Sequence, residues 1–210
     1  MNNLKRALTL FLSAVFAIPV GAAPSIRTTY SIDPQLSKIE ILVAKDGFLK
    51  AFGHDHVVSA AKYSGEIQFD SENLEGSSVE FVVETASLKV IDPGEPEKDR
   101  NEVQTTMLGE QVLDATKYPR IKFSSTGAKA GSSASQLAVE GTLALHGMTK
   151  PLTVPVRFQV TGDGTLVADT EVSFLQSDFG ITPYKAAGGT VRVKDKLKLT
   201  FHIVARKTSN

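Results

Sequence analysis

Residues 191–207 read VRVKDKLKLTFHIVARK. Val191, Val193, Leu197, Leu199, Phe201 and Ile203 stand at alternate positions. Arg192, Lys194, Lys196, Lys198, His202 and Arg206 stand opposite them. Period two is the side-chain repeat of a β-strand with one dry and one wet face. No helix can sort these residues, so this stretch confines the chain to a sheet architecture. The same alternation recurs in SVEFVVE (78–84), QLAVEGTLALH (136–146) and PLTVPVRFQV (151–160). Shorter candidates are Lys38–Ala44, Tyr63–Asp70, Arg120–Lys129 and Leu166–Leu175. One residue breaks the rule: Asp195 falls on the apolar face. Burial would demand a partner for it, and Arg100 and Lys150 are the cations proposed for that role.

Turn residues punctuate the strands. They are Asp46-Gly47, Gly131-Ser132, His146-Gly147, Gly162-Asp163-Gly164 and Gly188-Gly189, with Thr126–Gln136 read as a small-residue hairpin tip. Glycine at such points permits positive φ. The short connections suit antiparallel hairpins, and clean in/out alternation fits antiparallel better than parallel sheets. About eight strands result. Closing them into a barrel would remove the exposed edges. The segment GEPEKDRNEVQTTMLGEQVLDATKYP, 94–119, lacks alternation. Glu95, Glu97 and Asp99 suit a helix N-terminus, Val103 and Met107 are four apart, and Gly109 suits a helix end. The expectation is an all-β, eight-stranded antiparallel barrel with a short helical insertion near residues 95–114, packed across a rim or edge.

The first residues carry a different message. Lys5 and Arg6 precede an uncharged apolar run, Ala7–Val20, and small residues Gly21, Ala22 and Ala23 follow. That is the pattern of a secretory signal peptide, cut after Ala22. The run is shorter than the roughly 20 apolar residues of a spanning helix. Residues 1–22 are therefore read as a leader and 23–210 as one domain, periplasmic or secreted. The chain has 23 basic and 23 acidic residues, so nothing argues for a nucleic-acid partner. It has no Cys, which removes thiol nucleophiles, thiolate zinc sites and iron–sulfur clusters. No G-x-S-x-G elbow or phosphate loop is present, and the residues point neither to catalysis nor to a cofactor.

Several segments, in order, resemble the YceI-like family of lipid- or polyisoprenoid-binding proteins. The first is Tyr30, Asp33 and Pro34, followed by His56, Val58-Ser59 and the strand Gly65 to Asp70. The second is Arg100, Leu113-Asp114, Tyr118-Pro119 and Phe123 to Thr126. The third is Gly141, Leu143, His146, Gly147, Thr149, Lys150 and Pro151. The last is Ser177 to Ile181, with Asp195. The resemblance implies a lipocalin-like, eight-stranded barrel holding a long-chain isoprenoid or similar lipid, in the periplasm or secreted.

The inward set of such a barrel would be Phe69, Phe81, Val83, Leu143, Leu145, Phe158, Phe174, Leu199 and Phe201, joined by His56. An eight-stranded barrel is just wide enough to be filled by side chains or to hold one slender ligand. From the residues alone, a carrier and a solidly packed, stress-related structural module both stay open, as does a homodimer. So does a metal-binding or enzymatic role for AFGHDH, residues 51–56. His54 and His56 would project to one face of a strand, and zinc takes three or four ligands. His146 or Asp55 would be the third. The competing reading is that these histidines make structural hydrogen bonds at the barrel rim.

Overall fold

The computed structural model describes residues 27–46 and 55–208. Residues 1–26, which include the expected leader, residues 47–54 and residues 209–210 lie outside the described residues. Among the described residues twelve strands form one sheet: β1 (Arg27–Ile32), β2 (Lys38–Asp46), β3 (His56–Ala60), β4 (Tyr63–Asp70), β5 (Ser78–Glu84), β6 (Leu88–Val90), β7 (Arg120–Ala130), β8 (Gln136–Leu145), β9 (Met148–Val160), β10 (Leu166–Leu175), β11 (Lys185–Ala186) and β12 (Val191–Lys207). A single α-helix among them, α1 (Glu97–Leu108), interrupts the series.

The pairings fold these twelve into a closed antiparallel barrel of eight wall strands. β1 pairs β4 through Ser31↔Glu66, and β2 pairs β3 through Glu40↔Ser59. Both also pair β12, through Ile32↔Ala205 and Ile39↔Phe201. So β1 and β2 are one wall strand with an excursion at 33–37, and β3 and β4 are the strand beside it. β5 and β6 make the third, since β5 pairs β4 and β6 pairs β3. β7, β8, β9, β10 and β12 follow in order, each beside its predecessor, and β12 meets β1 to close the ring.

The excursion at 33–37 keeps its backbone satisfied, as a segment inside a wall must. Asp33 N–H donates to Val204 O at 2.8 Å, Ser37 Oγ bridges both polar groups of Val204, and the Tyr63 hydroxyl donates to Ser37 O at 2.8 Å. The expected tip at Thr126–Gln136 is shorter than the sequence implied. β7 runs on to Ala130, and its irregularity is taken up as a register shift between Ser125 and Gly127, where an extra residue can be accommodated without ending a strand.

Asp195 does not meet Arg100 or Lys150. Its carboxylate accepts the Ser177 N–H at 2.9 Å and the Ser177 hydroxyl at 2.6 Å. The cause is a register shift in β12 between Val193 and Leu197, which brings Asp195 to the turn after β10. Arg100 instead donates to Glu95 O at 2.9 Å, bracing the approach to α1. Gly109 ends α1 with extended backbone, φ −75° and ψ 174°, rather than a left-handed cap.

Candidate functional site: an apolar cavity inside the barrel

Alternation sends one face of every wall strand inward. The inward residues leave a cavity of about 640 Å³. All ten residues expected to face inward line it: Phe69, Phe81, Val83, Leu143, Leu145, Phe158, Phe174, Leu199, Phe201 and His56. Aromatic contacts cross its interior. Phe69 on β4 meets Phe158 on β9 edge-on at 5.4 Å, and Phe81 on β5 meets Phe201 on β12 at 6.1 Å. Neither pair belongs to neighbouring strands, so these rings narrow the lumen from opposite walls. Such edge-to-face pairs contribute about 0.5–1.5 kcal/mol beyond their buried area.

Most polar lining residues gather at one end. Lys45 faces Val193 across the β2–β12 pair, and His56 faces Val43 across the β2–β3 pair. Asp99 and Glu102 of α1, Tyr184 and Arg192 also line this end. His56 Nδ1 lies 2.7 Å from Asp92 Oδ2, and Asp92 Oδ1 accepts the Val57 N–H at 2.6 Å. Asp92 is 2% exposed. A buried carboxylate requires such donors, and it fixes the imidazole's orientation. Asp92 is 36 residues from His56 in a stretch with no periodicity, so nothing in the sequence marked it. Val103 and Met107 of α1 also line the cavity; their spacing was legible as helical, their inward face was not.

His146 and His202 do not line the cavity. His146 and Gly147 form a two-residue hairpin between β8 and β9, with φ 50° and 75°. Positive φ at both positions is the signature of a type I′ turn. The His146 ring meets Tyr118 edge-on at 4.6 Å, and its Nδ1 is 3.2 Å from Phe179 O. His202 pairs with Asp169 at 2.8 Å on the outer face. Asp55 accepts the Lys45 N–H at 2.9 Å. Among the described residues no three His, Asp or Glu side chains are gathered to hold a metal ion, and His54 lies outside them. No helix among the described residues is long and apolar enough to cross a membrane.

Tyr118, His146-Gly147 and Phe179 thus meet at one corner. A Cβ on Gly147 would lie 2.6 Å from the Tyr118 ring, and one on Gly180 would lie 3.2 Å from Met148 Sδ. Phe179 and Ile181, both 2% exposed, pack there with Leu143 and Leu145. Three motifs far apart in sequence are therefore one packed corner.

Fold and cavity together define the class: an antiparallel β-barrel closed around an apolar lumen with a polar end. The chain belongs to the YceI-like family, whose domain model matches residues 30–205. It is similar to a UPF0312 protein of Vibrio parahaemolyticus, 30% identical over 154 residues and covering 72% of each chain. A UPF0312 protein of Pseudomonas syringae pv. tomato is 33% identical over 151 residues, 69% of this chain and 71% of that one. The match to a Vibrio campbellii relative, 35% identical over 101 residues, spans about half of each chain, 48% and 49%. Among solved structures, BcnA of Burkholderia cenocepacia aligns with a TM-score of 0.67 at 22% identity, covering 83% of this chain and 99% of that one. A polyisoprenoid binding domain from Saccharophagus degradans aligns with a TM-score of 0.61 at 13% identity, covering 86% and 99%.

Proposed function

We propose that this protein is an exported carrier that holds a long-chain isoprenoid, or a lipid of similar shape, inside its barrel. The observation that carries the reading is the cavity of about 640 Å³, walled by aliphatic and aromatic side chains from every wall strand. A module packed solid would have filled that space, because protein interiors close-pack. Removing a chain from water gains about 0.8 kcal/mol per CH₂, so a few isoprene units offset the cost of association without strong polar contacts. The polar groups at one end suit an amphiphile whose head stays near solvent while its tail runs toward Phe69 and Phe158. The printed description of the Saccharophagus degradans neighbour supports an isoprenoid tail. The leader at residues 1–22 supports export to the periplasm, where an apolar chain needs a carrier between membranes. No bond is made or broken in this function.

The test is to purify the mature protein from a native-like periplasm and extract it into organic solvent for mass spectrometry. Delipidated protein is then titrated with a fluorescent polyene chain. A co-purifying lipid and saturable one-to-one uptake are expected. Protein that is ligand-free and takes up no probe would refute the reading.

A further inference from the structure

The barrel wall parts at a seam where β5 gives way to β6. β5 and β7 pair from Glu80↔Ser124 up to Glu84↔Arg120, and the Thr85 N–H still reaches Pro119 O at 3.0 Å. Beyond that point the two walls part. β6 pairs β3 on one side only, and among the described residues no strand lies on the other. Its seam-facing backbone groups are Leu88 C=O and Val90 N–H, an open edge that must be covered or satisfied.

A single side chain does this. Gln104 Oε1 accepts the Val90 N–H at 2.8 Å, and Gln104 Nε2 donates to Leu88 O at 2.7 Å. A primary amide offers one acceptor and two donors on one plane, so it replaces a neighbouring strand for one residue pair. It thereby docks α1 across the seam, with Val103 and Met107 turned to the cavity.

Val103, Met107 and Leu108 of the helix pack against the barrel core while only partly buried. None of its residues is fully buried, and its N-cap, Pro96, makes no side-chain capping bond. Its C-terminal end is tied to the following turn by Leu113 N–H to Met107 O and Ala115 N–H to Leu108 O, at 3.1 and 3.0 Å. The C-terminal end is thus anchored, and Gln104 in the second half of the helix latches it to β6. Few buried contacts and an uncapped end mark the low-stability part of a fold.

We infer that α1 is a lateral door of the cavity and that Gln104 is its latch: an apolar chain enters and leaves through the seam between β6 and β7 when the amide releases Val90 and Leu88. The inference rests on the carrier reading. It assigns Gln104 a positioning role, holding wall rather than touching ligand. A route through the seam also explains why the wall is completed here by a helix rather than by further strand.

Stopped-flow uptake and release of a fluorescent polyene chain, with amide hydrogen exchange on the same protein, tests this. Gln104→Ala is expected to accelerate both rates about tenfold, the loss of one to two net hydrogen bonds. Exchange at the Val90 amide should rise, while that at Lys89, which faces β3, should not. Gln104→Glu supplies its own control. Protonated, the acid keeps a donor and an acceptor; ionised, near its usual range above about pH 4.3, it loses the donor and faces Leu88 O. Its uptake should therefore be faster at about pH 7 than at about pH 4, with no such rise in the unmodified protein. Unchanged uptake in Gln104→Ala with Val90 deprotected, or a pH-independent Gln104→Glu, would overturn the door alone. An unmodified protein that takes up no probe would overturn the carrier reading and the door together.

Discussion

Gly147 and Asp92 show what single residues decide. Gly147 stands at φ 75° with the Tyr118 ring against the place of a Cβ. Gly147→Ala should cost about 2 kcal/mol or more, from left-handed backbone and a clash together. A Cβ on Gly162 would meet nothing within 4 Å, so Gly162→Ala should stay within about 0.5 kcal/mol. Urea denaturation of the two variants makes the comparison. Asp92→Ala should cost about 1–3 kcal/mol, because it removes the acceptor of the part-buried Val57 N–H and the carboxylate beside the His56 ring. Its effect should appear in denaturation midpoints and as a displaced His56 ring resonance. At this scale His56 was visible in the sequence as a candidate cavity residue, whereas its carboxylate partner was not. A contact across 36 residues has no local pattern to announce it.

Among the elements, the broken first wall strand ties the barrel's closure to charge. Asp33, in the excursion between β1 and β2, accepts from Arg206 Nε on β12 at 3.0 Å. That guanidinium, with the Gln35 N–H, holds the Asp33 carboxyl below its usual range. A lowered folded pKa favours the native state above the unfolded value of about 3.9, and the benefit is lost as pH falls through the folded one. Asp33→Asn should therefore shift stability little below that range and lower it above, flattening the acid limb of a stability-against-pH curve. The pair is exposed, so the effect should shrink in high salt. The strands themselves were plain in the sequence; Tyr63–Asp70 and Leu166–Leu175 fall where alternation placed them. β1 and β6 were not legible as strands. Three to six residues hold too few alternations to register, and only pairing with β4, β12 and β3 makes them strands.

For the whole molecule, the cavity and the rigidity of its wall are one question. Filling the lumen should separate binding from folding. Val139→Trp and Leu199→Trp place large rings into space that the inward side chains leave open. Each should reduce probe uptake about tenfold or more while leaving the unfolding temperature equal or higher, since cavity filling recovers packing contacts. Probe titration with calorimetry on the same samples reads both. A parallel loss of uptake and of stability would mean that the lumen is too small to fill, contrary to its volume.

The sequence by itself determined the sheet, its antiparallel sense, the barrel and the inward side of nearly every strand, because period two fixes which face a side chain takes and an edge-free sheet must close. It also marked the helical insertion. Tertiary structure alone decided whether the lumen is full or empty. That depends on the radius of the closed ring and on which rings meet across it, and alternation is blind to both. It also decided that Tyr118, His146-Gly147 and Phe179 form one corner, that Asp195 answers to Ser177, and that Gln104 completes the wall. These are contacts between segments whose separation along the chain is set by closure of the barrel, and no local propensity encodes them.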